Sequence, residues 1–200
     1  MISARMLIGS GITALLTGAI GFASASYLQQ QASAQRIAEL EQQRAFDERA
    51  DHQERAHALY GMWTTEPMIT HVNRARAFLD RHPELGYEAL TTQEDATSEE
   101  IAALDHVLRF WGRVEDYSAA EALDINMAAR LLGPDAGGWL PYIETLRVGL
   151  SDDPQFGKVI YADRGARRLA ILRRDQLARS RRLPGSGEAR PPHVDPRLPD

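Results

Sequence analysis

The sequence TSEEIAALDHVLRFWGRVED, residues 97–116, decides the fold class of this chain. Thr97 stands three residues before Glu100, the spacing of a capping box, in which each side chain binds the other residue's backbone N–H at a helix start. Apolar residues then recur at intervals of three and four, on one side of a helix: Ile101, Leu104, Val107, Leu108 and Trp111. The stretch predicts an amphipathic helix that packs against a core.

The other side of this predicted helix is polar. Asp105, Arg109, Arg113 and Asp116 form a stripe that we expect to face solvent. Glu115 alone falls on the apolar side. For Glu115 we expect an arginine partner, or a carboxylate that reaches water, rather than a catalytic role.

The flanking sequence predicts further helices. Thr65 and Pro67 mark a helix start, and that helix stops before His82. A polar loop over residues 84–96 follows. Beyond the central helix we expect a short helix over residues 123–132, which Gly133 and Pro134 would end. A turn at Asp135–Gly138 and a further helix over residues 139–148 would follow. Asp152-Asp153-Pro154 would start the next element. No stretch shows β-branched residues alternating with polar ones, the pattern of a strand, so we expect an all-α domain over residues 62–163.

The N-terminal part is apolar. No charged residue occurs from Met6 to Gln35, and about 20 apolar residues span a bilayer core of about 30 Å as a helix. Residues 1–28 therefore predict a transmembrane anchor, with a signal peptide cleaved after Ala25 as the alternative. The small residues of this segment recur every four positions and suggest close helix packing: Ser10, Ala14 and Gly18.

A polar helical stalk is predicted over residues 29–61. Glycine and proline are absent from Phe22 to Tyr60, and good helix formers dominate. The apolar positions do not sustain a heptad, so a coiled coil is not expected. We expect the last two turns to dock on the domain.

Charge is unevenly distributed along the chain. Residues 61–163 carry a net charge of −10, whereas residues 164–182 carry +7. We interpret residues 164–182 as a solvated, Arg-rich terminal helix that offsets the charge of the acidic body, for example by docking on it, with contact to anionic lipid as the alternative and nucleic acid last. Its arginines are Arg164, Arg167, Arg168, Arg173, Arg174, Arg179, Arg181 and Arg182. Residues 183–200 hold five of the ten prolines and predict a disordered tail.

No catalytic motif is recognisable. The chain has no cysteine, and the nucleophile-elbow, P-loop and dinucleotide-binding patterns are missing. A metal site through His57, His71 or His106 is the form that an enzyme hypothesis would take. We predict no catalytic residue, metal or cofactor, and we read Phe110, Trp111 and Trp139 as a structural aromatic core.

Residues 60–165 resemble a family. The segments LRFWGRVE (108–115), LDIN (123–126), RLLG (130–133) and WLPYI (139–143) occur in an order similar to an uncharacterised bacterial domain-of-unknown-function family, number 4760. The resemblance implies a membrane-anchored helical domain and brings no activity or catalytic residue.

These observations favour a single-pass protein of a bacterial inner membrane that acts as an interaction or scaffold subunit. The side of the membrane is left open, because the arginines flanking the anchor nearly balance. The expected partners are the membrane, a protein partner or a second copy, and anionic lipid, with nucleic acid last. A secreted periplasmic helical protein and an enzyme with an unrecognised site are the alternatives.

Overall fold

The computed structural model describes residues 4–150 and 157–182; for residues 4–28, 30 and 182 it describes the helical backbone alone. The described residues form helices and no strand, which confirms the all-α class. The six helices are α1 (Ala4–Trp63), α2 (Glu66–Arg81), α3 (Tyr87–Thr91), α4 (Ser98–Ala119), α5 (Ile125–Leu146) and α6 (Gly157–Arg182). The chain divides into two compact units, Met1–Ala50 and Asp51–Asp200.

In the first unit, the described side chains are exposed at residue 29 and throughout residues 31–50. The predicted anchor side chains, including Ser10, Ala14 and Gly18, lie outside the described residues, as does the predicted tail. Where side chains are described, no helix is long and apolar enough to cross a membrane.

The second unit holds a hydrophobic core around α4. Helix α6 packs against both α4 and α5, and α2 packs against α4. The last turns of α1, which the sequence assigns to the stalk, bury Ala56, Leu59 and Trp63 in this core. Arg55 also donates a hydrogen bond of 2.9 Å to the carbonyl oxygen of Ala122. These turns of α1 therefore belong to the compact unit by packing and by hydrogen bonding.

The predicted start of α4 is confirmed. The Thr97 hydroxyl accepts a hydrogen bond from the Glu100 N–H, and the Glu100 carboxylate accepts one from the Thr97 N–H at 3.0 Å. Such a cap stabilises a helix start by about 1 kcal/mol. Helix α2 also begins after Thr65, with Pro67 in its first turn, and ends before His82 as expected.

The predicted break between two short helices is wrong. Residues 125–146 form one helix, α5, with Pro134 and Pro141 inside it and no turn at residues 135–138. One face stays buried through both prolines: Leu132, Ala136, Trp139, Ile143 and Leu146. This burial outweighs the loss of a helical hydrogen bond at each proline, which costs about 3 kcal/mol. Gly133 does not end a helix; it allows α6 to pack closely against α5, since a Cβ there would lie 2.6 Å from the Cβ of Arg173.

Two other predictions need correction. The loop predicted over residues 84–96 contains the short helix α3, because Tyr87 and Leu90 bury their side chains. The Arg-rich segment is the C-terminal part of α6, which begins at Gly157 and buries Val159, Ala162 and other apolar residues. The predicted start at Asp152-Asp153-Pro154 lies outside the described residues.

Candidate functional site: a histidine and arginine pocket

An open pocket lies between the end of α1, the start of α2 and the middle of α4. Its volume is about 450 Å³, within the range of small-molecule sites. Its wall combines four apolar side chains with a group of basic ones: Met62, Pro67, Met68 and Phe110, then His71, His106, Arg109 and Arg113, with Thr65 at the edge. No aspartate or glutamate lines it among the described residues.

Two histidines stack face to face in this pocket. The ring centroids of His71 on α2 and His106 on α4 lie 4.3 Å apart, with 21° between the ring planes. Burial lowers the pKa of His71, and the nearby charges of His106 and Arg74 lower it further. His71 is therefore biased towards neutral imidazole while nothing negative lies beside it.

The two arginines of the pocket have no carboxylate partner among the residues that the structure describes. Arg109 and Arg113 are exposed on α4, and no ion pair joins either of them to another residue of the described ranges. Arg113 donates from Nη1 to the Met62 sulfur at 3.4 Å. Sulfur is a weak acceptor, so the guanidinium keeps most of its hydrogen-bonding capacity. Chemically, the pocket can bind an anion.

The hypothesis of a metal site through His57, His71 or His106 agrees only in part with this geometry. The structure brings His71 and His106 together but leaves His57 exposed on α1, away from the pocket lining. Within the described ranges, no three histidine, aspartate or glutamate residues are grouped to hold an ion.

The Arg-rich segment of α6 divides into two sets. Arg167 pairs with Glu144 and Asp163 at 2.9 Å each, and Arg168 pairs with Glu115 at 3.3 Å. The expected arginine partner of Glu115 is thus confirmed. The other described arginines of this segment form no ion pair with a described residue: Arg164, Arg173, Arg174, Arg179 and Arg181. The side chain of Arg182 lies outside the described residues.

In a second polar cluster, the polar groups form hydrogen bonds with one another. Lys158 donates to both carboxylate oxygens of Asp105, at 2.8 and 2.9 Å, and the Tyr87 hydroxyl donates to the same carboxylate at 2.8 Å. Burial alone would lower the pKa of Lys158, but its hydrogen bonds with Asp105 and Tyr87 raise it. Asp105 was expected to face solvent; instead it joins α3, α4 and α6, and we interpret this cluster as structural.

The aromatic residues singled out in the sequence lie in the core. Trp111 and Trp139 are fully buried, and Phe110 is 7% exposed. The Trp63 ring packs against Phe110 and Trp111, with centroids 4.6 and 4.9 Å away. Phe110 therefore serves both the core and the wall of the pocket.

Sequence reasoning missed the pocket as a site. His71 and His106 were considered only as metal ligands, and Arg109 and Arg113 only as a solvent stripe. The available signal was the spacing of His106, Arg109 and Arg113, which places three basic residues on neighbouring positions of one helix face.

No family model, curated protein or solved structure matches this chain. The resemblance of residues 60–165 to the domain-of-unknown-function family stays a prediction.

Proposed function

We propose that this chain is a membrane-anchored helical protein that acts as an interaction or scaffold subunit, with the unit beginning at Asp51 as its binding part. The support for the anchor is the uncharged run from Met6 to Gln35. The proposed location is a bacterial inner membrane. The proposal includes membership of the domain-of-unknown-function family that residues 60–165 resemble.

The observation that carries the interaction role is the set of unpaired arginines on α6. Arg164, Arg174, Arg179 and Arg181 are exposed, and none forms an ion pair with another residue in the described ranges. Guanidinium groups bind carboxylates through two parallel hydrogen bonds, so such a set favours an acidic partner. With Arg173 included, the arginines without an ion pair are spread around most of the helix circumference at about 100° per residue. A helix on a layer of anionic lipid would segregate its charge on one face, so this spread favours a protein partner.

Charge reversal on α6 tests the interaction role. The variant R174E/R181E is compared with the matched variant R109E/R113E, which makes the same charge change on α4. After cross-linking in cells and purification in detergent, we expect wild type and R109E/R113E to retain the same partner and R174E/R181E to lose it. Equal recovery of the partner by all three proteins, or no reproducible partner, would contradict the proposal.

Intact mass tests the anchor. We expect the full-length mass in the membrane fraction and none in the soluble fraction. A soluble species that begins at Ser26 or Gln35 would instead identify a secreted protein and remove the anchor from the proposal.

A further inference from the structure

The pocket between α1, α2 and α4 collects positive charge in an acidic part of the chain. Residues 61–163 carry a net charge of −10, yet the ionisable residues that line the pocket are two histidines and two arginines. Elsewhere on α2, Arg74 and Arg81 pair with Glu99 and Glu100 of α4 at 2.6 and 2.7 Å, and Arg76 lies over the Trp139 ring. The two arginines of the pocket have no such carboxylate partner among the described residues.

We propose that this pocket binds a small organic anion, with a phosphate or carboxylate head and a short apolar body. The head lies against Arg109 and Arg113, and the body lies against the methionine and phenylalanine side chains that line the same pocket. This site is independent of the interaction surface on α6.

The head group is specified by the basic side chains. Two exposed guanidinium groups one helical turn apart offer paired N–H donors to the oxygens of one anion. The stacked imidazoles of His71 and His106 contribute N–H groups beside them. An anion in the pocket offsets the repulsion that protonated rings would exert on each other and on Arg74, Arg109 and Arg113.

The apolar body is specified by the remaining wall. Met62 and Met68 are half-buried, and Phe110 is nearly buried, so the wall is fixed by core packing. Thioether side chains adapt to ligands of different shape because they are unbranched and polarisable. Inorganic phosphate alone would leave this wall unused. An alkyl phosphate should therefore bind more tightly than inorganic phosphate.

Binding to the full chain in nonionic detergent tests the site, with butyl phosphate and inorganic phosphate as probes in calorimetric titrations. We expect butyl phosphate to bind at least about tenfold more tightly than inorganic phosphate, a difference of about 1.4 kcal/mol. In R109Q/R113Q we expect the affinity for both probes to fall by at least about tenfold, since charge-assisted hydrogen bonds are lost. In M68N we expect a loss for butyl phosphate alone.

Arg130→Gln is the matched control. It removes an exposed arginine of the compact unit outside the pocket and should leave both affinities unchanged. Proton NMR of the imidazole Cε1–H signals, assigned with H71Q and H106Q, supplies a second readout. We expect butyl phosphate to raise the pKa of His71.

Lipids added to the detergent micelles distinguish the two sources of such an anion. If micelles that contain phosphatidylglycerol displace butyl phosphate and micelles that contain phosphatidylcholine do not, the head group is that of a lipid. If neither displaces it, the site takes a soluble organic anion. Both results support the site, whereas no binding of butyl phosphate, or binding that R109Q/R113Q leaves unchanged, overturns it. Neither of those two results bears on the partner contact of α6.

Discussion

Helix α4 carries charged side chains in two regions, which differ in whether those side chains have an ion-pair partner. At its crossing with α6, the buried Glu115 meets Arg168, and Gly165 brings the two backbones together. At the pocket beside α2, Arg109 and Arg113 face open space with no carboxylate partner among the described residues. Charge at the crossing is neutralised to permit packing, whereas charge at the pocket is left available.

The largest effect is expected from Gly165→Ala at the crossing. A Cβ at this position would contact the carbonyl oxygen of Trp111, and it would lie 3.1 Å from the Glu115 nitrogen. Backbone atoms cannot move aside as a flexible side chain can, so the helices must separate. We expect a loss of about 1–3 kcal/mol in the free energy of unfolding, measured by urea denaturation.

Gly137→Ala is the matched control for this substitution. Gly137 lies inside α5, and a Cβ there would have no atom within 4 Å. The same change should therefore stabilise the protein by about 0.5–1 kcal/mol, because alanine is the better helix former. Equal effects at the two glycines would refute the close approach of α4 and α6.

Arg168→Ala tests charge neutralisation at the crossing. It leaves the Glu115 carboxylate, which is 6% exposed, without its arginine. We expect a loss of about 1–3 kcal/mol, as for a buried polar group deprived of its partner. Glu115→Gln in the same chain should recover part of the loss, and Arg164→Ala should change stability by less than about 0.5 kcal/mol. A loss that Glu115→Gln does not reduce would contradict the assigned pairing.

A smaller effect on stability is expected at the start of α4. A hydrogen bond from Arg81, then one from the Thr97 backbone, lowers the pKa of Glu100 to about 2 from its ordinary 4.5. Because the folded pKa is the lower one, this stabilisation is complete above pH 4.5 and is lost as the pH falls towards 2. We expect Glu100→Gln, which preserves the capping box, to reduce the fall in unfolding free energy over this interval.

Arg81→Gln is the companion variant, since it removes the first cause of the lowered pKa. Urea unfolding between pH 7 and pH 2.5 should show a shallower acid dependence for both variants than for wild type. An acid dependence unchanged in both would mean that this ion pair does not hold Glu100 ionised.

The parts of the fold that depend on local sequence could be predicted. The box of Thr97 and Glu100 and the arginine partner of Glu115 follow from spacing and from the cost of a lone buried charge. The continuity of α5 could not, because Gly133 and Pro134 are ordinary helix-ending residues. Their helical state depends on the buried face of α5 from Leu132 to Leu146, a tertiary packing that the local sequence does not reveal.

The pocket was also beyond the sequence, for a related reason. His106, Arg109 and Arg113 share a helix face, but they become a site only when α2 places His71 and Met68 opposite them. Local periodicity predicts which residues of a helix are exposed. It does not predict which second helix lies beside them, and that neighbour converts a polar stripe into a pocket.

The smallest stability change is expected from R109Q/R113Q in the pocket. Both side chains are exposed, and the contact of Arg113 with the Met62 sulfur is weak. We expect the free energy of unfolding to stay within about 0.5 kcal/mol of wild type in urea denaturation. A loss above about 1 kcal/mol would make these arginines part of the fold and end the distinction between the pocket and the crossing.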